Sequence, residues 1–137
     1  MLRLLYSSQA APAVTDDQVG EIQRVSQRNN PSRGLTGVLV SGGGMFMQVL
    51  EGPEEAVLRQ YVKILDDRRH ANCRLIYISP ANERQFSSWS MGLVRCKPLE
   101  FQHIMQIGAR RQETVELPAF TAAMRGRVSS WRKRISI

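Results

Sequence analysis

Residues 35–50, LTGVLVSGGGMFMQVL, contain two apolar runs separated by three consecutive glycines, and this stretch decides the fold. Leu35 to Val40 and Met45 to Leu50 have the composition of strands, and Ser41 to Gly44 have that of a tight turn. The stretch therefore predicts a β-hairpin. Because its glycines join two strands and do not lead into a helix, they do not form a P-loop or a Rossmann turn.

The segment before the hairpin predicts one strand and one helix. Leu2 to Ser7 is a short apolar run, and Thr15 followed by Gln18 is a capping box that opens a helix. The buried stripe of this helix is Val19, Ile22 and Val25. We expect the helix to end near Asn29-Asn30-Pro31, because the residue before a proline is disfavoured in the helical conformation.

The segment after the hairpin predicts a second helix and two further strands. Pro53 suits the first helical position, and Asp66 to His70 closes this helix. Its buried stripe is Val57, Tyr61 and Ile64/Leu65. Leu75 to Ser79 and Met91 to Val94 are short strands. The order is β-α-β-β-α-β plus one strand, which is an α+β, ferredoxin-like sheet carrying two helices.

The 137 residues divide at about residue 94 into a domain (1–94) and a basic C-terminal extension (95–137). The domain has a charge balance of +1 and the extension one of +6. Two further helices are predicted in the extension, with apolar positions at Phe101, Ile104, Met105 and Gly108, and at Phe120, Met124, Val128 and Trp131. The basic end is either a solvated helix face or a surface for nucleic acid, an anionic membrane or an acidic protein.

Composition excludes many classes of protein. Two cysteines and two histidines allow neither a disulfide framework nor a histidine-rich metal site, so no metal is expected. No apolar run reaches the length of a membrane span, and the first residues make a poor signal peptide, so we expect a cytoplasmic protein. The strand Met45 to Leu50 lacks the basic and stacking residues of an RRM, so direct nucleic-acid binding is not expected.

Polar residues stand at positions that the pattern otherwise marks as core. Gln48 lies in the middle of an apolar strand, Tyr6 near the end of another, and Asn29 and Asn30 at the end of the first helix. A buried glutamine is costly unless its amide is hydrogen-bonded. Two interpretations remain open: Tyr6 and Gln48 satisfy each other or nearby backbone, or they line a cleft for a planar polar ligand.

The stretch from Leu4 to Val94 resembles a BLUF domain, the flavin-binding sensor of blue light. The matching motifs are Leu5-Tyr6-Ser7-Ser8, Arg28-Asn29-Asn30, Gly34-Leu35-Thr36-Gly37, Phe46 to Pro53 (FMQVLEGP), Asp67-Arg68-Arg69-His70, Arg84-Gln85-Phe86 and Trp89-Ser90-Met91-Gly92. They follow one another in family-like order and spacing over about two thirds of the chain. Each motif is weak by itself, and together they are specific.

The resemblance implies a role for the polar residues. Tyr6 would be the photochemical electron donor, and Gln48 would lie between Tyr6 and the flavin ring. An amide has both donors and an acceptor, so its rotation or tautomerisation inverts the hydrogen-bond pattern. A stronger bond to the flavin C4 carbonyl would then shift the absorption to the red. Asn30, with Asn29 beside it, would hold the pyrimidine edge of the ring.

The resemblance also implies the walls of the pocket. Ile22 and Ile64 would sandwich the ring between the two helices, a role compatible with plain helix core. Ser26 would be an outer contact. Arg69 and His70 would approach the ribityl-phosphate side, or else form a charge cluster at the end of a helix.

Trp89 and Met91 match the segment that relays the switch in this family. Trp89 would also be an unproductive electron donor, or simply an aromatic packed under a loop. Asn72-Cys73-Arg74 is similar to the cysteine motif of LOV domains, but it runs into a strand, so we interpret Cys73 as a small residue at the start of that strand.

The resemblance predicts a photoreceptor that binds FAD non-covalently, with FMN or riboflavin as alternatives. It would not be an enzyme, because the flavin regains its redox state after each cycle. With no output domain expected after residue 95, the signal would pass to a downstream effector protein in trans, and we expect a homo-oligomer that does not bind membranes. The alternatives are a light-independent interaction module of the same fold and a small flavin-dependent redox enzyme.

Overall fold

The computed structural model describes residues 1–97, which form five strands and two helices. The predictions for the C-terminal helices lie outside the described residues. The elements are β1 (Leu2–Ala10), α1 (Asp16–Arg33), β2 (Thr36–Gly42), β3 (Met45–Gly52), α2 (Glu54–Leu65), β4 (His70–Pro80) and β5 (Gly92–Arg95).

The strands form one sheet in the order β4-β1-β3-β2-β5. The pairs β1–β3, β1–β4 and β2–β3 are antiparallel, whereas β5 lies parallel to β2. The first four strands and both helices have the order that the sequence predicts for a ferredoxin-like α+β fold. The fifth strand extends the sheet beside β2.

The predicted hairpin is confirmed, with a shorter turn than its glycines suggested. Ser41 and Gly42 still pair with Phe46 and Met45, so β2 continues to Gly42. The two residues between the strands, Gly43 and Gly44, have φ angles of 57° and 76°. Positive φ at both central residues is what a type I′ turn requires, and glycine adopts it without strain.

Helix α1 begins as predicted and ends later than predicted. Thr15 and Gln18 form the reciprocal capping box. The expectation that the helix stops at Pro31 is wrong, because α1 includes Pro31 and runs to Arg33. The stop is Gly34, in the left-handed conformation with φ 69°, whose N–H bonds to the carbonyls of Asn30 and Pro31.

Three predicted boundaries in the second half of the domain need correction. Pro53 is the N-cap of α2 and not its first residue. Of the predicted buried stripe of α2 only Val57 is buried, because Tyr61 and Ile64 are half-buried and Leu65 is 47% exposed. Helix α2 ends at Leu65 with Asp66 as its C-cap, so the predicted close of the helix holds at Asp66, whereas His70 already belongs to strand β4.

Two apolar clusters lie on opposite faces of the sheet, as the alternation of side chains along each strand dictates. The cluster beneath the helices includes Leu4, Tyr6, Leu39, Leu50, Val57 and Met91. The cluster on the other face includes Leu5, Val38, Met47, Val49, Phe86 and Trp89. Trp89 and Met91 therefore lie on opposite faces, although a single residue separates them.

Candidate functional site

A cleft with a cavity volume of about 130 Å³ lies between α1 and α2, with the sheet as its floor. Its apolar lining is Ile22, Val25, Leu39, Phe46 and Ile64, and its polar lining is Tyr6, Ser26, Gln48, Gln60, Asp67, Arg69 and His70. Apolar walls with a few convergent polar groups are typical of a site for a small molecule or cofactor.

Tyr6 and Gln48 form a hydrogen-bonded pair on the floor of the cleft. They lie directly opposite each other on the paired strands β1 and β3. The phenol of Tyr6 donates to Gln48 Oε1 at 2.5 Å, and both side chains are buried, with 3% and 5% of their surfaces exposed. Burial raises the pKa of Tyr6 far above its ordinary value of 10.0. The phenol is therefore protonated, and its proton points at the amide.

Gln48 also connects the floor to the segment before β5. Its Nε2 donates to the sulfur of Met91 at 3.4 Å. A thioether is a weak acceptor, so this bond is easily exchanged for a better one. Gln48 thus joins a strong contact with Tyr6 to a weak one with Met91.

Asn30 has one satisfied and one unsatisfied amide atom. Its Nδ2 donates to the carbonyl of Ser90 at 2.6 Å, whereas Oδ1 is buried and has no hydrogen-bond partner among residues 1–97. Leaving a buried acceptor without a donor costs free energy, and such an atom in a native structure calls for a ligand or water. Asn30 therefore presents an acceptor for a donor that residues 1–97 do not supply.

Arg69 and His70 are held by protein groups at the mouth of the cleft. Arg69 donates to both carboxylate oxygens of Asp67, at 2.5 to 3.1 Å, and this contact lowers the pKa of Asp67. His70 Nε2 lies 2.5 Å from the carbonyl of Ile64, and Nδ1 lies 2.8 Å from the hydroxyl of Ser8. Since a carbonyl only accepts, Nε2 carries the hydrogen. His70 thereby braces β1 against α2.

The structure brings most of the predicted site residues to the cleft. Its lining contains Tyr6, Ile22, Ser26, Gln48, Ile64, Arg69 and His70, and Met91 touches Gln48. Neither Asn29 nor Asn30 is among the residues that line it, although Asn30 bonds to the carbonyl of Ser90, next to Met91. Trp89 packs against Phe86 on the other face of the sheet, with ring centroids 5.6 Å apart. Cys73 lies in strand β4, as expected.

Five lining residues were not predicted: Val25, Leu39, Phe46, Gln60 and Asp67. Two simple signals point to some of them. Phe46 is two residues from Gln48 on the same strand, and Gln60 is four residues from Ile64 on the same helix, so each pair shares a face. Leu39 could be predicted only from the register of the hairpin, in which Leu39 pairs with Gln48.

No group of three or more histidine, cysteine, aspartate or glutamate side chains within residues 1–97 is arranged to hold a metal ion. Neither helix in this part of the chain has the length and apolar character needed to span a bilayer.

Comparison with known proteins identifies the domain. Residues 1–92 match the family model described as "Sensors of blue-light using FAD" (BLUF). Photoactivated adenylate cyclase subunit alpha of Euglena gracilis is 38% identical over 88 residues, which are 64% of this chain and 9% of that protein. Subunit beta from the same organism is 35% identical over 89 residues. The chain thus spans about a tenth of the length of these relatives.

Solved structures have the same architecture. BlrB, described as a BLUF protein in its dark state, is 26% identical with a TM-score of 0.71, and the match covers 94% of this chain and 95% of that one. The photo-activated state of BlsA gives 25% identity and a TM-score of 0.73, with 93% of this chain and 94% of that one covered. BlrP1 of Klebsiella pneumoniae, solved with FMN and cyclic diGMP, is 30% identical with a TM-score of 0.65, over 69% of this chain and 26% of that one.

Proposed function

The chain belongs to the BLUF family of blue-light sensors that use FAD, and on this premise we propose that the Tyr6–Gln48 pair is its photoactive centre. The family consists of sensor modules, in agreement with the expectation of a photoreceptor and not an enzyme. The cyclase activity named for the Euglena proteins is theirs. The single observation that carries the proposal is the buried hydrogen bond from Tyr6 to Gln48 on the floor of the cleft.

The residues present fit a flavin. Ile22 and Ile64 supply an apolar wall on each helix for a flat ring. The buried Oδ1 of Asn30 supplies an acceptor that lacks a donor among the described residues, as the pyrimidine edge of a flavin requires. FAD is the family's cofactor. The cleft residues recognise the ring that FMN and riboflavin share with it, so these remain alternatives.

A bound flavin would supply the absorption of blue light and an acceptor for an electron. Tyr6 is placed to give that electron, and its proton moves along the existing 2.5 Å bond to Gln48 Oε1. A phenol that loses an electron becomes a strong acid, so the two transfers are coupled. Both would return to Tyr6 before the red-shifted state is complete, so that state holds the flavin at its starting redox level and the cycle consumes no reductant.

Gln48 converts this proton movement into a change of hydrogen bonds. Its Oε1 is engaged by Tyr6 and its Nε2 by the Met91 sulfur. A rotated or tautomerised amide presents a different donor and acceptor to each neighbour. Losing the bond to a thioether costs little, so Met91 is the contact released most easily. The change at Gln48 therefore reaches the backbone just before β5.

We propose that the signal leaves the domain by protein–protein contact. The segment around Trp89 to Val94 carries the change, and the basic extension 95–137, with a balance of +6, suits an acidic effector acting in trans. A homo-oligomer in the cytoplasm, without direct contact to nucleic acid, is part of this proposal. The domain boundary at residue 94 coincides with the change in charge.

Replacement of Gln48 tests the proposal. Gln48→Leu keeps the volume of the side chain and removes the amide, so flavin is expected to remain bound while the light-induced red shift of its absorption disappears. Gln60→Leu is the matched control, because Gln60 also lines the cleft but bonds to Arg33 and not to Tyr6. It should keep the shift. An unchanged red shift in Gln48→Leu would remove Gln48 from the mechanism.

A further inference from the structure

The carboxylate of Glu51 is fully buried on the face of the sheet opposite the cleft, with 0% of the residue exposed. Its Oε1 accepts from the hydroxyl of Thr36 at 2.9 Å and the N–H of Phe86 at 2.6 Å. Its Oε2 accepts from Nε of Arg3 at 3.2 Å and the N–H of Gln85 at 2.9 Å. Four donors converge on one charge, and bonds to an ionised acceptor are stronger than neutral ones.

Two arginines extend this cluster to the neighbouring residues. Arg3 also donates to the carbonyl of Glu83 at 2.7 Å. Arg84 donates to the carbonyls of Gly34 at 2.7 Å and Glu51 at 3.2 Å. Residues 83–86 are therefore fastened to the ends of β1 and β3 and to the start of β2, although they belong to no helix or strand.

The other end of the same segment is held by residues of the cleft side. Asn30 donates to the carbonyl of Ser90, Gln23 donates to the carbonyl of Met91 at 3.0 Å, and Gln48 reaches the Met91 sulfur. Each of these contacts comes from a side-chain amide. The segment 83–91 is thus held at one end by the buried carboxylate of Glu51 and at the other end by side-chain amides, which can reorient.

Glu51 and Gln48 lie on the same strand, three residues apart, with side chains on opposite faces. Gln48 contacts the Met91 sulfur, whereas the Glu51 carboxylate accepts from the backbone N–H groups of Gln85 and Phe86. We propose that Glu51 is a positioning residue of the light switch, which fixes residues 83–86 so that the movement started by Gln48 is confined to residues 87–91. This inference rests on the proposed function.

Amide hydrogen exchange of the flavin-bound chain, in the dark and under blue light, tests the inference. In the wild type, light should change exchange at residues 87–91 and leave residues 83–86 unchanged. Glu51→Gln removes the charge, and an amide cannot accept from all four donors. The Gln85 and Phe86 N–H groups bond to different oxygens of Glu51, so one of them would face the new NH₂ group and lose its acceptor. Exchange at that amide should rise by about tenfold or more, the usual consequence of losing a bond to a charged group.

The light-minus-dark difference separates positioning from mere stability. In Glu51→Gln the light-induced change should spread into residues 83–86, and the rate of dark recovery should change by about fivefold or more, the equivalent of a modest change in free energy. The size of the red shift should stay the same, because Tyr6 and Gln48 are untouched. A lower stability alone would raise exchange equally in dark and light.

Two further variants complete the experiment. Glu21→Gln is the matched control, since it also breaks a carboxylate–arginine pair, but an exposed one with Arg24, and it should change nothing. Thr36→Val removes one donor to Glu51 and one acceptor of Arg84, and it keeps the Arg3–Glu51 pair. It should therefore shift exchange and recovery in the same direction if Glu51→Gln does not fold.

Two results would overturn the inference, and they differ from failure of the proposed function. One is a folded Glu51→Gln with the wild-type light-induced exchange pattern and recovery rate. The other is an unfolded Glu51→Gln together with a Thr36→Val that behaves as the wild type. Absence of any red shift in the wild-type chain would instead overturn the proposed function, and with it the role of Glu51 in a switch.

Discussion

Substitution of Tyr6 by phenylalanine should abolish the light response at a modest cost in stability. The ring packs against Tyr61 and His70, with centroid distances of 5.4 and 6.3 Å, and phenylalanine keeps both contacts. The change removes the hydroxyl and leaves Gln48 Oε1 buried without its donor. An unsatisfied buried acceptor costs about 1–3 kcal/mol, so we expect the free energy of unfolding to fall by that amount.

A double-mutant cycle with Gln48→Leu isolates the bond between the two side chains. In the double variant neither polar group is left unpaired, so the combined loss should be smaller than the sum of the single losses by about 1–2 kcal/mol. Urea unfolding in the dark, with flavin in constant excess, measures each corner of the cycle. Additive losses would show that the bond contributes nothing to stability.

The spectroscopic part of this experiment addresses the mechanism. Tyr6→Phe should bind flavin in the dark and show no red shift after blue light, because the electron and proton donor is gone. Tyr61→Phe is the matched control, since it removes a neighbouring phenol that lies outside the Tyr6–Gln48 bond, and it should keep the shift. A full, reversible red shift in Tyr6→Phe would refute the assignment of Tyr6.

Three further predictions follow from the site. Asn30→Ala removes the buried acceptor at Oδ1, so it should weaken flavin binding in a fluorescence titration. A flavin affinity equal to that of the wild type would contradict the proposal that Asn30 binds the ring. Met91 contacts Gln48, whereas Trp89 belongs to the apolar cluster on the other face of the sheet. Trp89→Phe should therefore leave the size of the red shift unchanged, and Met91→Ala should alter the dark-recovery rate. The reverse pattern in flash spectroscopy would place Trp89 at the cleft. Stability should fall as the pH rises above about 10, since the raised pKa of Tyr6 keeps the folded state protonated where the unfolded state ionises. Tyr6→Phe should flatten that alkaline loss in unfolding curves, and an equal loss in both proteins would assign it to other groups.

The hairpin and the start of α1 could be predicted because their signals are local. Two strand-like runs around glycines and a capping box at Thr15 and Gln18 specify structure within a few residues. The end of α1 could not be predicted from Pro31 alone. A proline deprives the last turn of one N–H, and the left-handed conformation of Gly34 sets the actual end.

The floor of the cleft could be anticipated in part, because Tyr6 and Gln48 are polar residues in apolar strands. Their mutual bond depends on the register of β1 against β3, which no local pattern specifies. The positions of Trp89 and Met91 are also a matter of tertiary structure. Residues two apart in an extended chain share a face, yet here the irregular segment before β5 turns them to opposite sides of the sheet. Glu51 and Arg84-Gln85-Phe86 lie in two of the BLUF-like motifs of the sequence, but their contact joins residues far apart in sequence and could not be predicted from either motif alone.

The visible absorption spectrum of the purified protein, recorded in the dark, after blue light and again after dark recovery, tests the central claim most directly. The claim is that light changes the hydrogen bonds around a bound flavin without changing its redox state. We predict flavin bands that move to the red on illumination and return in the dark. Bands that bleach, or a protein that binds no flavin, would contradict it.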